Sequence, residues 1–199
     1  AVLVDLEKRA RNAETPEELQ FIIVNETHNL SPYRQAIMFD RFGKILAISG
    51  VANLEENTPF KNWVNENISE KVQKNDSLLI IDEKILMEDK RSEWLDWFPR
   101  FGMLLPLDSP IHGKLGCLLL LRDKDWSNVE KETLLTIGGA YGHCLGAFKK
   151  KEIFAFIENK KLFLKLIIII GLFCLSFLPV SLTVLAPSEI VPINPSVIR

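Results

Sequence analysis

The sequence predicts an α+β fold, an antiparallel sheet with flanking helices, followed by one transmembrane helix and a short extended tail. Two pairs of apolar stretches, each pair joined by turn residues, predict antiparallel strands. Capping boxes before and after these strands mark the starts of helices. An uncharged run over residues 166–185 is long enough to cross a bilayer, which takes about 20 apolar residues in a helix.

The chain opens with two predicted helices. Residues 1–13 place apolar side chains on one side of a short helix. Thr15 is suited to cap a second helix, Pro16 fits its first position, and Glu18 can reach back to complete a capping box. This second helix should end before Pro32, because the residue before a proline disfavours the helical conformation.

Four strands follow in two hairpin-like pairs. They are predicted over residues 33–39, 44–51, 101–107 and 114–122. The turns between them are Asp40-Arg-Phe-Gly43 and Asp108-Ser-Pro-Ile-His-Gly113. The last strand is apolar along nearly its whole length, which predicts a central strand covered on both faces.

The segments around the second strand pair are mostly helical. Residues 59–74 predict a helix, residues 77–85 a short strand and residues 89–98 a short helix. After the last strand, Ser127-Asn-Val-Glu130 forms a second capping box. It begins a long helix that is predicted to reach Phe148, so that helices lie before and after a single sheet.

The apolar run of residues 166–185 is predicted to be a transmembrane helix, since it is apolar on every side whereas a buried core helix is usually amphipathic. Lysines crowd only its N-terminal flank, and the positive-inside rule therefore places the preceding domain, residues 1–148, in the cytoplasm. These membrane-flanking lysines are Lys149, Lys150, Lys151, Lys160, Lys161 and Lys165. Residues 149–165 form the predicted juxtamembrane helix, and residues 186–199 emerge on the opposite side.

Composition and spacing argue against several classes of function. A net charge of -2 gives no basic field for nucleic acid. The three histidines lie far apart in sequence and lack the spacing of metal ligands, and the three cysteines form no paired framework. No glycine-rich phosphate loop is present. We therefore predict no metal site, no cofactor and no catalytic constellation, and the chain is not expected to be an enzyme.

Two groups of residues remain as candidate sites. The first is an aromatic set, which can line a small-molecule pocket or fill the domain core. Its members are Phe60, Trp63, Trp94, Trp97, Phe98 and Phe101. The second is the stripe Gly138, Gly142 and Gly146 of the last helix, whose missing side chains indicate a close contact. That contact is either with the domain's own sheet or first helices, or a helix–helix contact between two copies of the chain.

The helix Thr15-Pro-Glu-Glu-Leu-Gln-Phe-Ile-Ile-Val-Asn-Glu-Thr-His-Asn-Leu30, with Pro32-Tyr-Arg-Gln-Ala36 after it, resembles the opening of a GAF-type sensor domain. Gly113-Lys-Leu-Gly-Cys-Leu-Leu-Leu-Leu-Arg-Asp-Lys-Asp-Trp126 and the capped helix that follows resemble its closing strand and helix. The resemblance covers about residues 14–148 and implies a GAF-like fold for the cytoplasmic domain. Neither a cyclic-nucleotide signature nor a bilin-attachment cysteine is recognisable, so the resemblance implies no particular ligand.

The tail Pro179-Val-Ser-Leu-Thr-Val-Leu-Ala-Pro-Ser-Glu-Ile-Val-Pro-Ile-Asn-Pro-Ser-Val-Ile-Arg199 resembles the segment after the anchor in membrane fusion proteins, the periplasmic adaptors of hemolysin D type. This resemblance implies a single-pass protein of the bacterial inner membrane with a periplasmic tail. Because the barrel, lipoyl-like and hairpin parts of such adaptors are not in the sequence, we expect the chain to be part of a longer protein.

Together these resemblances predict the regulatory or docking domain and membrane anchor of an export adaptor for efflux or secretion. We expect a homo-oligomer, with an inner-membrane transporter as a partner and with a small-molecule ligand as a further possibility. The alternative is a membrane-tethered GAF-type sensor of a signalling receptor. The two differ in whether β-rich segments or a signalling module flank these residues.

Overall fold

A five-stranded antiparallel sheet forms the centre of the computed structural model, which describes residues 2–51, 55 and 58–175. The strands are β1 (Gln35–Asp40), β2 (Ile45–Ile48), β3 (Leu79–Ile81), β4 (Phe101–Ser109) and β5 (Gly113–Arg122). Their order across the sheet is β2-β1-β5-β4-β3, and every neighbouring pair is antiparallel. The two predicted strand pairs therefore join through β1 and β5 into one sheet.

Helices precede, interrupt and follow these strands. They are α1 (Val2–Asn12), α2 (Pro16–Phe21), α3 (Pro59–Asn67), α4 (Ser69–Lys74), α5 (Trp94–Trp97) and α6 (Asn128–Leu175). A π-helical turn (Ile22–Glu26) and a 3-10 turn (Thr27–Asn29) continue α2, and further 3-10 turns cover Glu83–Ile85 and Glu88–Glu93. A compact unit built from these elements extends to Phe154.

The sheet has a separate hydrophobic core on each face, as the alternation of β5 shows. Leu118 and Leu120 pack with residues of α1, α2 and α6, whereas Leu119 and Leu121 pack with residues of α3, α4 and α5. All four side chains are fully buried. The expectation of a central strand covered on both faces is confirmed, as is the α+β class with helices flanking an antiparallel sheet.

Both predicted helix starts are present. Thr15 Oγ1 accepts the Glu18 N–H at 3.1 Å, but the Glu18 carboxylate accepts from the N–H of Glu14 at 2.8 Å rather than from that of Thr15. At the start of α6, Glu130 accepts the Ser127 N–H at 2.9 Å, and the Ser127 hydroxyl accepts the Glu130 N–H at 3.3 Å. The second capping box is therefore complete, whereas the first is shifted by one residue.

The predicted helix over residues 59–74 is two helices, separated at Ile68. The side chain of Ile68 is fully buried, and α4 then packs on the turn between β1 and β2. The Ser69 hydroxyl donates to the Gly43 carbonyl at 2.7 Å, and Gln73 Nε2 donates to the Phe42 carbonyl at 2.6 Å. These hydrogen bonds hold α4 against a turn that is distant from it in sequence.

Two other boundaries differ from the prediction. The segment expected to be helical over residues 89–98 begins as a 3-10 turn and becomes α-helical only at Trp94. The strands β4 and β5 extend further into their connection than expected, because Ser109 pairs with Gly113 beyond a bulge. The turn therefore comprises only residues 110–112.

The predicted membrane segment is described only in part. Residues 166–175 are the last residues of α6, whereas residues 176–185 and the tail 186–199 lie outside the described residues. Among the described residues, no helix is both long enough and apolar enough to cross a bilayer.

Candidate functional site

Five of the six aromatic candidates form one cluster between the sheet and the helices α3 and α5. Their ring centroids are 5.1–6.2 Å apart, mostly in edge-to-face or tilted arrangements. The members of this aromatic cluster are Phe60, Trp63, Trp94, Trp97 and Phe98. Trp94 and Phe98 have 0% and 2% of their surface exposed, so the rings fill the space that they surround.

The polar atoms of the buried indoles in the cluster are paired within the chain. Trp63 Nε1 donates to Glu93 Oε2 at 2.6 Å, and Trp94 Nε1 donates to the Pro99 carbonyl at 2.7 Å. Buried polar groups that await a ligand would be left without a partner, and these two are not. In this structure the cluster has the properties of domain core.

Phe101 lies apart from the other aromatic candidates. It is the first residue of β4, and alternation along the strand places it on the same face as Met103, which belongs to the core beside α1, α2 and α6. Its ring packs under the guanidinium of Arg100, 5.5 Å from the ring centroid. The prediction grouped Phe101 with the other five aromatic candidates, but strand alternation puts its side chain on the opposite face of the sheet from their cluster.

Replacing Trp63 by Phe is expected to destabilise the domain by about 1 kcal/mol, because it removes the donor to Glu93 while keeping an aromatic ring in the cluster. The free energy of unfolding of the purified chain, followed in urea, measures this change. Trp97→Phe is the matched control, since the described residues include no hydrogen bond to its indole. Equal losses in both variants would show that the Trp63–Glu93 bond contributes nothing specific.

The glycine stripe of α6 (Gly138, Gly142 and Gly146) packs against β4 of the same chain. A methyl group added at Gly142 would lie 2.0 Å from the carbonyl oxygen of Asp108. One added at Gly146 would lie 2.6 Å from Ser109 Oγ, and one at Gly138 would lie 3.1 Å from a β4 side chain. The sheet therefore occupies the space beside these glycines, and a helix–helix contact between copies would have to use other residues of α6.

Sequence reasoning missed a buried polar contact between α6 and the start of the chain. The Thr27 hydroxyl donates its one proton to the Ile23 carbonyl at 2.8 Å, so the Tyr141 hydroxyl is the donor in the 2.7 Å bond between Tyr141 and Thr27. Both residues are fully buried, and burial raises the pKa of Tyr141 well above its usual value of 10. A tyrosine and a threonine on apolar helix faces were the only sequence signals of this contact.

A second unpredicted contact joins the end of β5 to the start of α6. The guanidinium of Arg122 binds both carboxylate oxygens of Glu130, at 2.7 and 2.9 Å, and lies 3.7 Å from the ring centroid of Trp126. It also donates to two backbone carbonyls in the segment after β5. This bidentate pairing holds the pKa of Glu130 well below its usual value of 4.5.

The remaining reactive side chains are dispersed or buried. Burial raises the pKa of the Cys117 thiol to about 12 and also raises that of Cys144, so both are protonated at neutral pH. His28 packs its ring edge-on against Tyr33 at 5.2 Å. Over the described part of the chain, no cluster of three or more potential metal ligands occurs.

The six membrane-flanking lysines lie on α6, within the range Asn128–Leu175. The described part of the domain also has several open grooves on its surface. A groove of about 570 Å³ lies between α1 and α6 and is lined largely by alanines. Another, of about 590 Å³, lies between α2 and the edge strand β2, where Phe21 and Val51 are exposed.

No protein-family model matches the sequence, and no curated protein sequence is similar to it. Solved structures are similar in fold. The GAF domain of a candidate sensor histidine kinase from Pseudomonas syringae pv. tomato is 13% identical with a TM-score of 0.51, over 77% of this chain and 89% of that one. The GAF domain of the Acinetobacter phosphoenolpyruvate-protein phosphotransferase is 10% identical with a TM-score of 0.54, over 76% and 94%.

A far-red-absorbing protein with bound biliverdin IXa is also similar, with 11% identity and a TM-score of 0.52 over 73% of this chain and 97% of that one. At such low identities the likeness concerns the fold and not the ligand or the activity. The strand order, the helices on both faces and these similarities agree, and the described domain has a GAF-like fold.

Proposed function

We propose that this chain is a non-catalytic regulatory and docking domain, held at the bacterial inner membrane as the cytoplasmic and anchoring part of an export adaptor. The observation that carries the docking role is the packed core in the described part of the GAF-like domain. The aromatic cluster fills one core, and its buried indoles are paired within the chain. A domain built in this way is suited to act through its surface, by contact with an inner-membrane transporter or with further copies of the chain.

The chemistry of the described side chains supports a role without catalysis. Enzymes place nucleophiles, acids and bases in clefts where their pKa values are shifted towards neutrality. Here burial raises the pKa of Cys117 and Cys144, and ion pairing lowers that of Glu130, so these three shifts move away from neutrality. Burial also raises the pKa of the carboxylates of Glu26 and Asp108, but these lie on different elements, and Glu26 is ion-paired with Arg9 at 2.6 Å.

The membrane role is supported by the sequence after the domain. The run over residues 166–185 carries no charge, and six lysines precede it. The tail after it resembles that of hemolysin D-type adaptors, and this resemblance supports the proposal of an export role with a periplasmic tail. The groove between α2 and β2 provides one surface of the domain at which a partner could be sought by mutagenesis.

Membrane fractionation tests the anchor directly. We expect the full chain to stay in the membrane pellet after carbonate washing and to leave it when Leu172 and Leu175 are both replaced by Asp, since each charge near a helix centre opposes insertion by about 3 kcal/mol. Replacing both by Ile is the matched control and should leave the chain in the pellet. Recovery of the unaltered chain in the soluble fraction would refute the anchor.

The second candidate function is a membrane-tethered sensor in a signalling receptor. It is favoured by the similar structures, which include the GAF domain of a candidate sensor kinase and a protein with bound biliverdin. Reading the open reading frame on both sides of the chain separates the candidates. Alternating strands, a lipoyl-like repeat and a heptad hairpin after Arg199 support the adaptor, whereas a flanking signalling module supports the sensor.

A further inference from the structure

The helical segment after α2 has an unusual backbone. Residues Ile22–Glu26 form a π-helical turn, and Thr27–Asn29 continue as a 3-10 turn. A π-helical turn inserts one extra residue into a helix, and such insertions are found frequently at functional sites. With α2 held by the buried side chain of Leu19, a return to α-helical geometry would rotate the side chains after the turn by up to about 100°.

Three side-chain donors bind backbone carbonyls in this turn or directly before it. The bonds are Asn25 Nδ2 to the Phe21 carbonyl at 3.0 Å, Thr27 Oγ1 to the Ile23 carbonyl at 2.8 Å, and Tyr33 Oη to the Val24 carbonyl at 2.7 Å. Two of these donors lie in the turn or directly after it, and the third comes from the segment before β1. The π-helical geometry is therefore stabilised by two side chains from the turn and its end and by one from the segment before β1.

The side chains of Asn25 and Thr27 also contact other elements. Asn25 Oδ1 accepts the N–H of Gly50, just after β2, at 2.9 Å. Thr27 Oγ1 accepts the hydroxyl of Tyr141, in α6, at 2.7 Å. The turn thus touches the end of an edge strand on one side and the long helix α6 on the other.

We propose that this π-helical turn is a two-state register element that couples the end of β2 to α6. The π register makes both outer contacts, whereas the α register rotates Asn25 and Thr27 away from Gly50 and Tyr141. Because the Tyr141 hydroxyl is fully buried, losing its partner is unfavourable, and the outer contacts therefore stabilise the π register together. A change at either end shifts the same equilibrium and is transmitted to the other end.

The two ends of this coupling differ in accessibility. Asn25 and Gly50 line the open groove between α2 and β2, so that end is reachable from solvent. Tyr141 lies in the part of α6 that packs on the sheet, and α6 continues as a helix to Leu175. The coupling is internal to the domain, and it stands whether the chain is an export adaptor or a sensor.

Amide exchange of Gly50 in the full chain tests the coupling from the helix side. Tyr141→Phe is expected to speed exchange of the Gly50 amide by about threefold or more, although no hydrogen bond joins the two residues. Thr133→Val is the matched control, because it removes a hydroxyl of the same helix that bonds to Val129 at 2.7 Å and does not touch the turn. This control should leave Gly50 exchange unchanged.

The reverse experiment does not depend on a buried substitution. Asn25→Ala removes the groove-side contact, and we expect it to shift the ring resonances of Tyr141, since coupling is reciprocal. Unchanged Gly50 exchange in a folded Tyr141→Phe variant would overturn the proposal. If that variant does not fold, unchanged Tyr141 resonances in Asn25→Ala would overturn it equally.

Discussion

Replacing Gly142 by Ala is expected to destabilise the domain by about 3 kcal/mol, the upper part of the range for overpacked interiors. The new methyl group would lie 2.0 Å from the carbonyl oxygen of Asp108 and 2.7 Å from its backbone nitrogen. A side chain could rotate away from such a contact, but backbone atoms of a paired strand cannot. The helix α6 would therefore have to move off β4, and the buried side chains between them would lose contacts.

Thermal unfolding measures this effect, followed by the fluorescence of the tryptophans, which all lie within residues 63–126. Gly139→Ala is the matched control, because among the described residues no atom outside the adjoining helix backbone lies within 4 Å of the added methyl group. There alanine should stabilise the helix by up to about 1 kcal/mol. A similar melting temperature for both variants would show that the close approach at Gly142 is not required.

The glycine stripe shows what the sequence could predict and what it could not. Three glycines at a spacing of four in a helix indicate that something packs closely, and this is what the structure contains. From the sequence alone, the glycines could contact either the domain's own sheet or first helices, or another copy of the chain. The choice depends on where β4 passes, and that is set by strand pairing between residues far apart in sequence.

Several features that depend on residues near each other in sequence agree with the sequence pattern, although the Glu18 carboxylate accepts from the N–H of Glu14 rather than from that of Thr15. The capping box from Ser127 to Glu130 forms within one helical turn, and the turn before β2 contains Gly43 with a positive φ of 78°. The central position of β5 followed from its continuous apolar run. These features depend on neighbours within a few positions, which is the range over which a sequence pattern is informative.

The π-helical turn was not predicted because its residues look like a continuing helix. Ile22, Ile23 and Val24 are all buried, so the apolar pattern carries no sign of the inserted residue. The groups that stabilise the turn include Tyr33 and Tyr141, and the second of these is 114 positions from its partner Thr27. Such a contact cannot be recognised before the fold is known.

Replacing Glu130 by Gln is expected to destabilise the domain by about 2 kcal/mol at neutral pH, between the values for exposed and buried ion pairs, because 30% of the Glu130 side chain is exposed whereas Arg122 is buried. Arg122 has only 8% of its surface exposed, and among the described residues Glu130 is its one ion-pair partner. Glutamine keeps the shape of the side chain and one acceptor oxygen. The loss therefore reports the charge rather than the packing.

The stabilisation by the Arg122–Glu130 pair is expected to depend on pH. The pKa of Glu130 is lowered in the folded state, first by the hydrogen bonds from Arg122, so the ion pair stabilises the fold above the usual carboxyl pKa of 4.5. That stability is lost as the pH falls towards the folded-state pKa. We expect the free energy of unfolding of the wild type, measured in urea, to fall steeply below about pH 5. That of Glu130→Gln should fall less, so that the free energies of the two proteins converge in acid.

Glu70→Gln is the matched control for this titration. Its carboxylate also has a lowered pKa, through a hydrogen bond from Lys74, but 66% of the Glu70 side chain and 75% of the Lys74 side chain are exposed. Solvent screens such a pair, so its removal should change stability little at any pH. If Glu130→Gln behaves like Glu70→Gln, with a constant difference from the wild type between about pH 7 and pH 3, the Arg122–Glu130 pair does not stabilise the start of α6 through its charge.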